Sequence, residues 1–80
     1  MKRYVKSSID DSSYEYQINQ FSATDEFVGI PEVFSSFSKA LAYIDNNPLT
    51  GGGYYIVEKA YFGEHGYEYS EMVTDKLTGK

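Results

Sequence analysis

Tyr14, Tyr16 and Ile18 alternate with Glu15, Gln17 and Asn19, the period-two signature of a half-buried strand. Residues 2–8 (Lys-Arg-Tyr-Val-Lys-Ser-Ser) read as a short strand before it, with Asp10-Asp11-Ser12-Ser13 as the turn between. Phe27 to Phe34 forms a further strand, and Pro31 limits it to an edge or a bulge because proline donates no ladder hydrogen bond. The pattern makes a hairpin of these two runs, turning around Ala23–Glu26. Phe37, Ala40, Leu41 and Ile44 then change the period to i, i+3, i+4, i+7, one face of a helix. Ser35 or Ser36 offers the N-cap hydroxyl, Asn46-Asn47 suits a left-handed exit, and Pro48 stops the helix.

Gly51-Gly52-Gly53 reads as a flexible connection into two more strands, at 54–62 and 67–74, around Gly63-Glu64-His65-Gly66. A type I turn with Gly66 left-handed gives a three-residue loop with a G1 bulge. That register places Lys59 opposite Glu71, Tyr61 opposite Tyr69, and Val57 opposite Val73. A four-residue loop would set Glu58 against Glu71, a like-charge pair. The bulged register sorts the hairpin into two faces. Tyr54, Ile56, Ala60, Phe62 and Met72 are expected under the helix, with Glu58 awkward among them. Tyr55, Tyr61, Tyr67 and Tyr69 are expected on the opposite face, around the Lys59/Glu71 pair. The fold class is α+β: one domain over residues 1–80, an antiparallel sheet of four or five strands with a single helix on one face.

Composition narrows the chemistry. Eighty residues support one small core, and fourteen aromatics (nine Tyr, five Phe) must supply much of it. The absence of cysteine excludes disulfides, thiolate catalysis and cysteine-ligated zinc. Secreted domains of this size usually carry disulfides, so a cytoplasmic location is expected, and the Met-Lys-Arg start leads into no signal-peptide core. No apolar run reaches the length of a membrane span.

Candidate catalytic groups are sparse. His65, the single histidine, lies in a Glu-His-Gly turn with no orienting partner, and the serines sit at caps and turns. Glu64-His65 supplies too few ligands for a metal, and Asp10-Asp11 lacks the spacing of a calcium loop. Gly51–Gly53 precedes a strand, whereas phosphate-cradling loops lead into a helix. Glu58 and Glu71 have no cleft signalled around them. The chain reads as a non-enzyme that needs no cofactor.

The charge pattern points to binding. Residues 1–6 carry +3; residues 7–38 hold Asp10, Asp11, Glu15, Asp25, Glu26 and Glu32 and no lysine or arginine; the total is −5. Such a one-signed stretch supports solubility or attracts a basic partner. Tyrosines on a sheet also suit base stacking, but nucleic acid normally requires a cationic groove. Protein binding fits better, with Tyr55, Tyr61, Tyr67 and Tyr69 as hot spots and Asp10, Asp11, Asp25 and Glu26 as steering charge. A homodimer burying the tyrosine face is the remaining alternative.

The opening Lys2-Arg3-Tyr4-Val5-Lys6-Ser7-Ser8 resembles small uncharacterised proteins of Gram-positive bacteria and their phages. So does Ser36–Asn47 (Ser-Phe-Ser-Lys-Ala-Leu-Ala-Tyr-Ile-Asp-Asn-Asn) followed by Gly53–Lys59 (Gly-Tyr-Tyr-Ile-Val-Glu-Lys). The likeness covers about half the chain, rests on structural motifs, and brings no functional residues with it. It implies an inhibitor of host defence, of anti-CRISPR type, whose target is a basic host protein such as a nucleic-acid-binding nuclease or effector.

Overall fold

The computed structural model describes residues 14–79. The strand expected at residues 2–8 and the turn containing Asp10 and Asp11 lie outside that range. The elements run β1 (Tyr14–Phe21), β2 (Phe27–Phe34), α1 (Phe37–Asn46), β3 (Tyr54–Gly63) and β4 (Gly66–Met72). The four described strands form one antiparallel sheet in the order β2-β1-β3-β4, with α1 on one face. The class is α+β.

The central pair β1/β3 is regular along its whole length, from Tyr14 opposite Tyr61 to Phe21 opposite Tyr54. On its flank β2 is an edge strand, as Pro31 requires. Ile18 pairs with Glu32 and Gln20 with Gly29, so Ile30 and Pro31 together face Asn19. The proline sits in a bulge. The β1–β2 turn closes with Ser22 N–H donating to Glu26 O (2.8 Å) and Asp25 N–H to Ser22 O (3.0 Å). Ser22 Oγ accepts from the amides of Thr24 and Glu26, which holds Asp25 at φ 68°.

Helix α1 starts where its pattern does. Ser36 is extended (φ −134°, ψ 147°) and its Oγ accepts from Lys39 N–H at 3.2 Å. The expected left-handed exit does not occur. Asn46 remains helical and Asn47 leaves at φ −135°, ψ 59°, while its side-chain amide donates to Tyr43 O at 2.8 Å. The asparagine caps through its side chain, which removes the need for left-handed backbone. Gly51 and Gly52 take φ of 80° and 97°, so the triple glycine is a defined turn that other residues would strain.

The core faces the other way from the sequence expectation. Ile18, Val57, Tyr55, Ala40 and Ile44 form the buried cluster, with Tyr16, Phe34, Phe37, Tyr43, Leu49 and Leu77 packed around it. Helix α1 therefore covers the face of Tyr55 and Val57, and Tyr54, Ile56, Ala60, Phe62 and Met72 lie on the opposite face, where Ala60 and Tyr54 are buried nonetheless. The cause is the central register. Ile18 stands opposite Val57, so the apolar set of β1 selects the odd-numbered positions of β3. Glu58, awkward under a helix, is accordingly on the side away from α1.

The segment after β4 completes this core. Val57 N–H donates to Thr74 Oγ1 (3.1 Å), and Tyr55 and Leu77 exchange backbone bonds of 2.7 and 2.8 Å. Leu49 N–H donates to Thr78 O at 2.9 Å, tying the post-helical loop to the same segment. Tyr55 reaches across with its hydroxyl donating to Asn47 O at 2.6 Å.

The face assignment yields a direct expectation. Ile18→Ala should cost about 2–5 kcal/mol of unfolding free energy in a urea titration. Ile56→Ala, half-buried on the face away from α1, should cost less than half as much, and an equal or larger loss there would reverse the assignment.

Candidate functional site

Beyond the end of α1 the helix-side face of the sheet continues with no described element over it, and two rows of side chains cross it. The first row is Tyr14 of β1, Tyr61 of β3 and Tyr69 of β4, each directly opposite the next. The second, one step along the same face, is Tyr16, Lys59 and Glu71. Directly opposed residues share a face and approach within contact distance, so strand register alone assembles this surface.

The rings are in mutual contact. Tyr61 and Tyr69 stack with centroids 4.6 Å apart and planes 18° apart. Tyr14 meets Tyr61 at 6.2 Å and Tyr16 edge-on at 5.7 Å, and Tyr16 meets Phe37 of α1 at 5.7 Å. Lys59 Nζ lies 4.1 Å from the Tyr14 centroid, 5.2 Å from Tyr61 and 5.7 Å from Tyr16. The ammonium is thus held by ring quadrupoles rather than exposed as a free surface charge. Burial alone would lower the Lys59 pKa, but the Tyr61 hydroxyl and the neighbouring tyrosine oxygens outweigh it and raise it. Tyr61 is pushed up, first by burial and then by the carboxylate of Glu71, which accepts its hydroxyl at 3.1 Å.

The four tyrosines expected together are divided among three environments. Tyr55 is core, 2% exposed. Tyr61 is half-buried and Tyr69 is 54% exposed, and these two share the helix-side face. Tyr67 is 59% exposed but lies on the opposite face, paired with Phe62, with its hydroxyl donating to Ser70 Oγ at 3.1 Å. The reason is a bulge. Between Tyr61/Tyr69 and Phe62/Tyr67 the register shifts by one, and the extra residue, Glu68, turns Tyr67 over. The expected pairs Lys59/Glu71 and Tyr61/Tyr69 are observed, and Val73 N–H donates to Val57 O at 2.9 Å. Gly66 is left-handed at φ 103°, as expected, but the loop is shorter: Gly63 pairs with Gly66 and Glu64-His65 forms a two-residue tip.

Asp25 and Glu26 sit in the β1–β2 turn, at the far end of the sheet from Tyr69. There Tyr54 hydroxyl donates to Asp25 Oδ1 at 2.6 Å, and Lys76 Nζ lies 3.7 Å from the same carboxylate and 4.7 Å from the Tyr54 ring. Tyr54 itself stacks on Phe21 at 5.2 Å. Asp25 thus ties the first turn to β3 and to the C-terminal segment. Of the steering set, Asp25 and Glu26 thus lie together in this turn, away from the Tyr61–Tyr69 stack, and Asp10 and Asp11 lie outside the described residues. Conversely, Tyr14 and Tyr16 join Tyr61 and the expected Lys59/Glu71 pair on this surface, although their sequence context does not mark them as binding residues. The alternation of Tyr14 and Tyr16 signals their shared face; only the β1/β3 register shows what they meet.

Charge over this body is one-sided. Residues 14–79 hold three lysines against ten carboxylates, a net −7, and the lysines at 59 and 76 are the two engaged by rings. Among the described residues no cluster of three or more histidines and carboxylates could hold a metal. None of their helices is long and apolar enough to cross a membrane. Comparison with protein-family models, curated proteins and solved structures finds no match for the chain.

The Asp25 tie has a pH signature. The Tyr54 hydroxyl, and then the Lys76 charge, hold its carboxyl below the ordinary value of 3.8. Because the folded value is depressed, this stabilisation is present above the unfolded pKa and disappears as pH falls through the folded one. Asp25→Asn, which keeps an αL-tolerant residue at the turn, should lower Tm at pH 7. The two proteins should converge as pH falls through the depressed folded value, below 3.8. A Tm difference that persists unchanged at low pH would remove the charge from the explanation.

Proposed function

We propose that this chain is a small non-enzymatic protein-binding module that docks on a basic surface of a partner. What carries the reading is the coincidence of the Tyr61–Tyr69 stack with a net −7 body. Flat aromatic area with polar tips is the usual composition of a binding hot spot, and long-range attraction raises the rate of encounter with a cationic target. Glu71 at the end of its row and Glu68 in the bulge place carboxylates beside the exposed ring.

The same charge weighs against a nucleic-acid ligand, since phosphate binding needs cations and two of the three lysines here lie against rings. Taken with the resemblance to small phage and Gram-positive proteins, the most concrete form of the reading is a phage or mobile-element inhibitor. Its target would be a basic host defence protein in the bacterial cytoplasm, such as a nuclease whose nucleic-acid groove an acidic domain could fill. The lack of cysteine suits that compartment.

The test is capture from bacterial host lysate followed by measured affinity for the purified partner. A basic protein should be recovered, with association slowed by added salt. Tyr69→Ala and Tyr61→Ala should each weaken binding roughly tenfold or more while the circular dichroism spectrum is retained. Undiminished affinity in the double variant would remove the tyrosine surface from the interface. Recovery of nucleic acid, or a concentration-dependent dimer that hides Tyr69, would favour the other two readings.

A further inference from the structure

Two free strand edges flank the described sheet, and they are not equivalent. β2 is disrupted by the Ile30–Pro31 bulge, which makes it a poor template for another strand. β4 contains neither proline nor lysine, and from Tyr69 to Met72 it keeps a regular register against β3. Its outer backbone groups have no pairing strand among the described residues.

The two rows end at this edge. Tyr14–Tyr61–Tyr69 stops on a ring that stacks on Tyr61 with one side and is open on the other, where a further strand would place its side chain. Tyr16–Lys59–Glu71 stops on a carboxylate, so the sequence of groups across the sheet is aromatic, cation, anion. A strand added beside β4 puts one side chain in line with each row, two residues apart and on the same face. The first position calls for a flat group over Tyr69 and the second for a cation against Glu71. Arginine satisfies both, because its guanidinium stacks on rings and pairs with carboxylates through two parallel hydrogen bonds.

We propose that β4 binds an extended, arginine-bearing segment of a basic partner protein by strand addition, with an Arg-X-Arg pair facing Tyr69 and Glu71. This rests on the protein-binding reading above and specifies its mode. A second copy of the chain is a poor occupant, since pairing two β4 edges would gather Glu68 and Glu71 of both copies along one seam, with no lysine or arginine in β4 to offset them.

The probe is a nine-residue blocked peptide with Arg-Thr-Arg at its centre and valine and threonine flanks, titrated into the full chain labelled with nitrogen-15. Amide shifts should be saturable and concentrated at residues 69–72. Tyr69→Ala and Glu71→Gln should each weaken binding about fivefold, with Tyr69→Phe retaining it and reporting that the fold is intact. Methylating the central backbone nitrogens of the peptide should weaken it about tenfold or more, because strand addition depends on those donors. Equal binding of the methylated peptide, shifts centred on β2 or scattered over all carboxylates, or no binding at all would overturn strand addition. If a basic partner is still captured through Tyr61 and Tyr69 in that event, the broader reading stands and only this mode falls.

Discussion

The pairing of Ile18 with Val57 at the centre of the sheet governs the rest of the molecule. In a strand every second residue shares a face, so one fixed pair assigns a side to all the others. It sends Tyr55 and Val57 beneath α1, where Ala40 and Ile44 close over them. It equally sends Tyr61 and Lys59 to the same side past the helix end, where nothing among the described elements covers them. Core and candidate surface are two ends of one face.

That arrangement explains why so small a domain uses so much tyrosine. A core of this size has few fully buried aliphatic side chains, and rings extend it at its margins. Tyr55 is apolar at its ring and finds a backbone acceptor at the end of α1 for its hydroxyl. Tyr14, Tyr16 and Tyr61 bury partly and hold the Lys59 ammonium, so a cation sits on a largely aromatic surface without a carboxylate pressed directly against it. Packing and recognition draw on the same residue type. Only exposure separates their roles, as the contrast between Tyr55 and Tyr69 shows.

Much of this architecture is legible in local sequence patterns. The i, i+3, i+4, i+7 spacing locates α1, the Ser36 hydroxyl locates its start, Pro31 locates an edge, and charge pairing selects the Lys59/Glu71 register. Such patterns fail wherever a non-local partner decides the outcome. The hairpin alone offers two faces that are almost equally apolar, and choosing between them requires Ile18 from another strand. The Glu68 bulge, which moves Tyr67 away from Tyr69, is invisible in composition because any residue can occupy it. The return of Leu77 onto Tyr55 is a single bridge with no strand-length pattern to announce it. The candidate surface is therefore half visible in the sequence: Tyr61, Tyr69 and the Lys59/Glu71 pair group together from the hairpin register, while Tyr14 and Tyr16 need the β1 register.

Which side chains share the helix-side face is measured most directly by proton–proton contacts in a solution NMR spectrum. Methyl protons of Val57 and Ile18 should show cross-peaks to Ala40 and Ile44, and the Tyr61 ring should show them to Tyr14 and Tyr69 but not to Tyr67. Contacts from Ile56 or Ala60 to Ile44, or from Tyr67 to Tyr69 across one face, would contradict this placement.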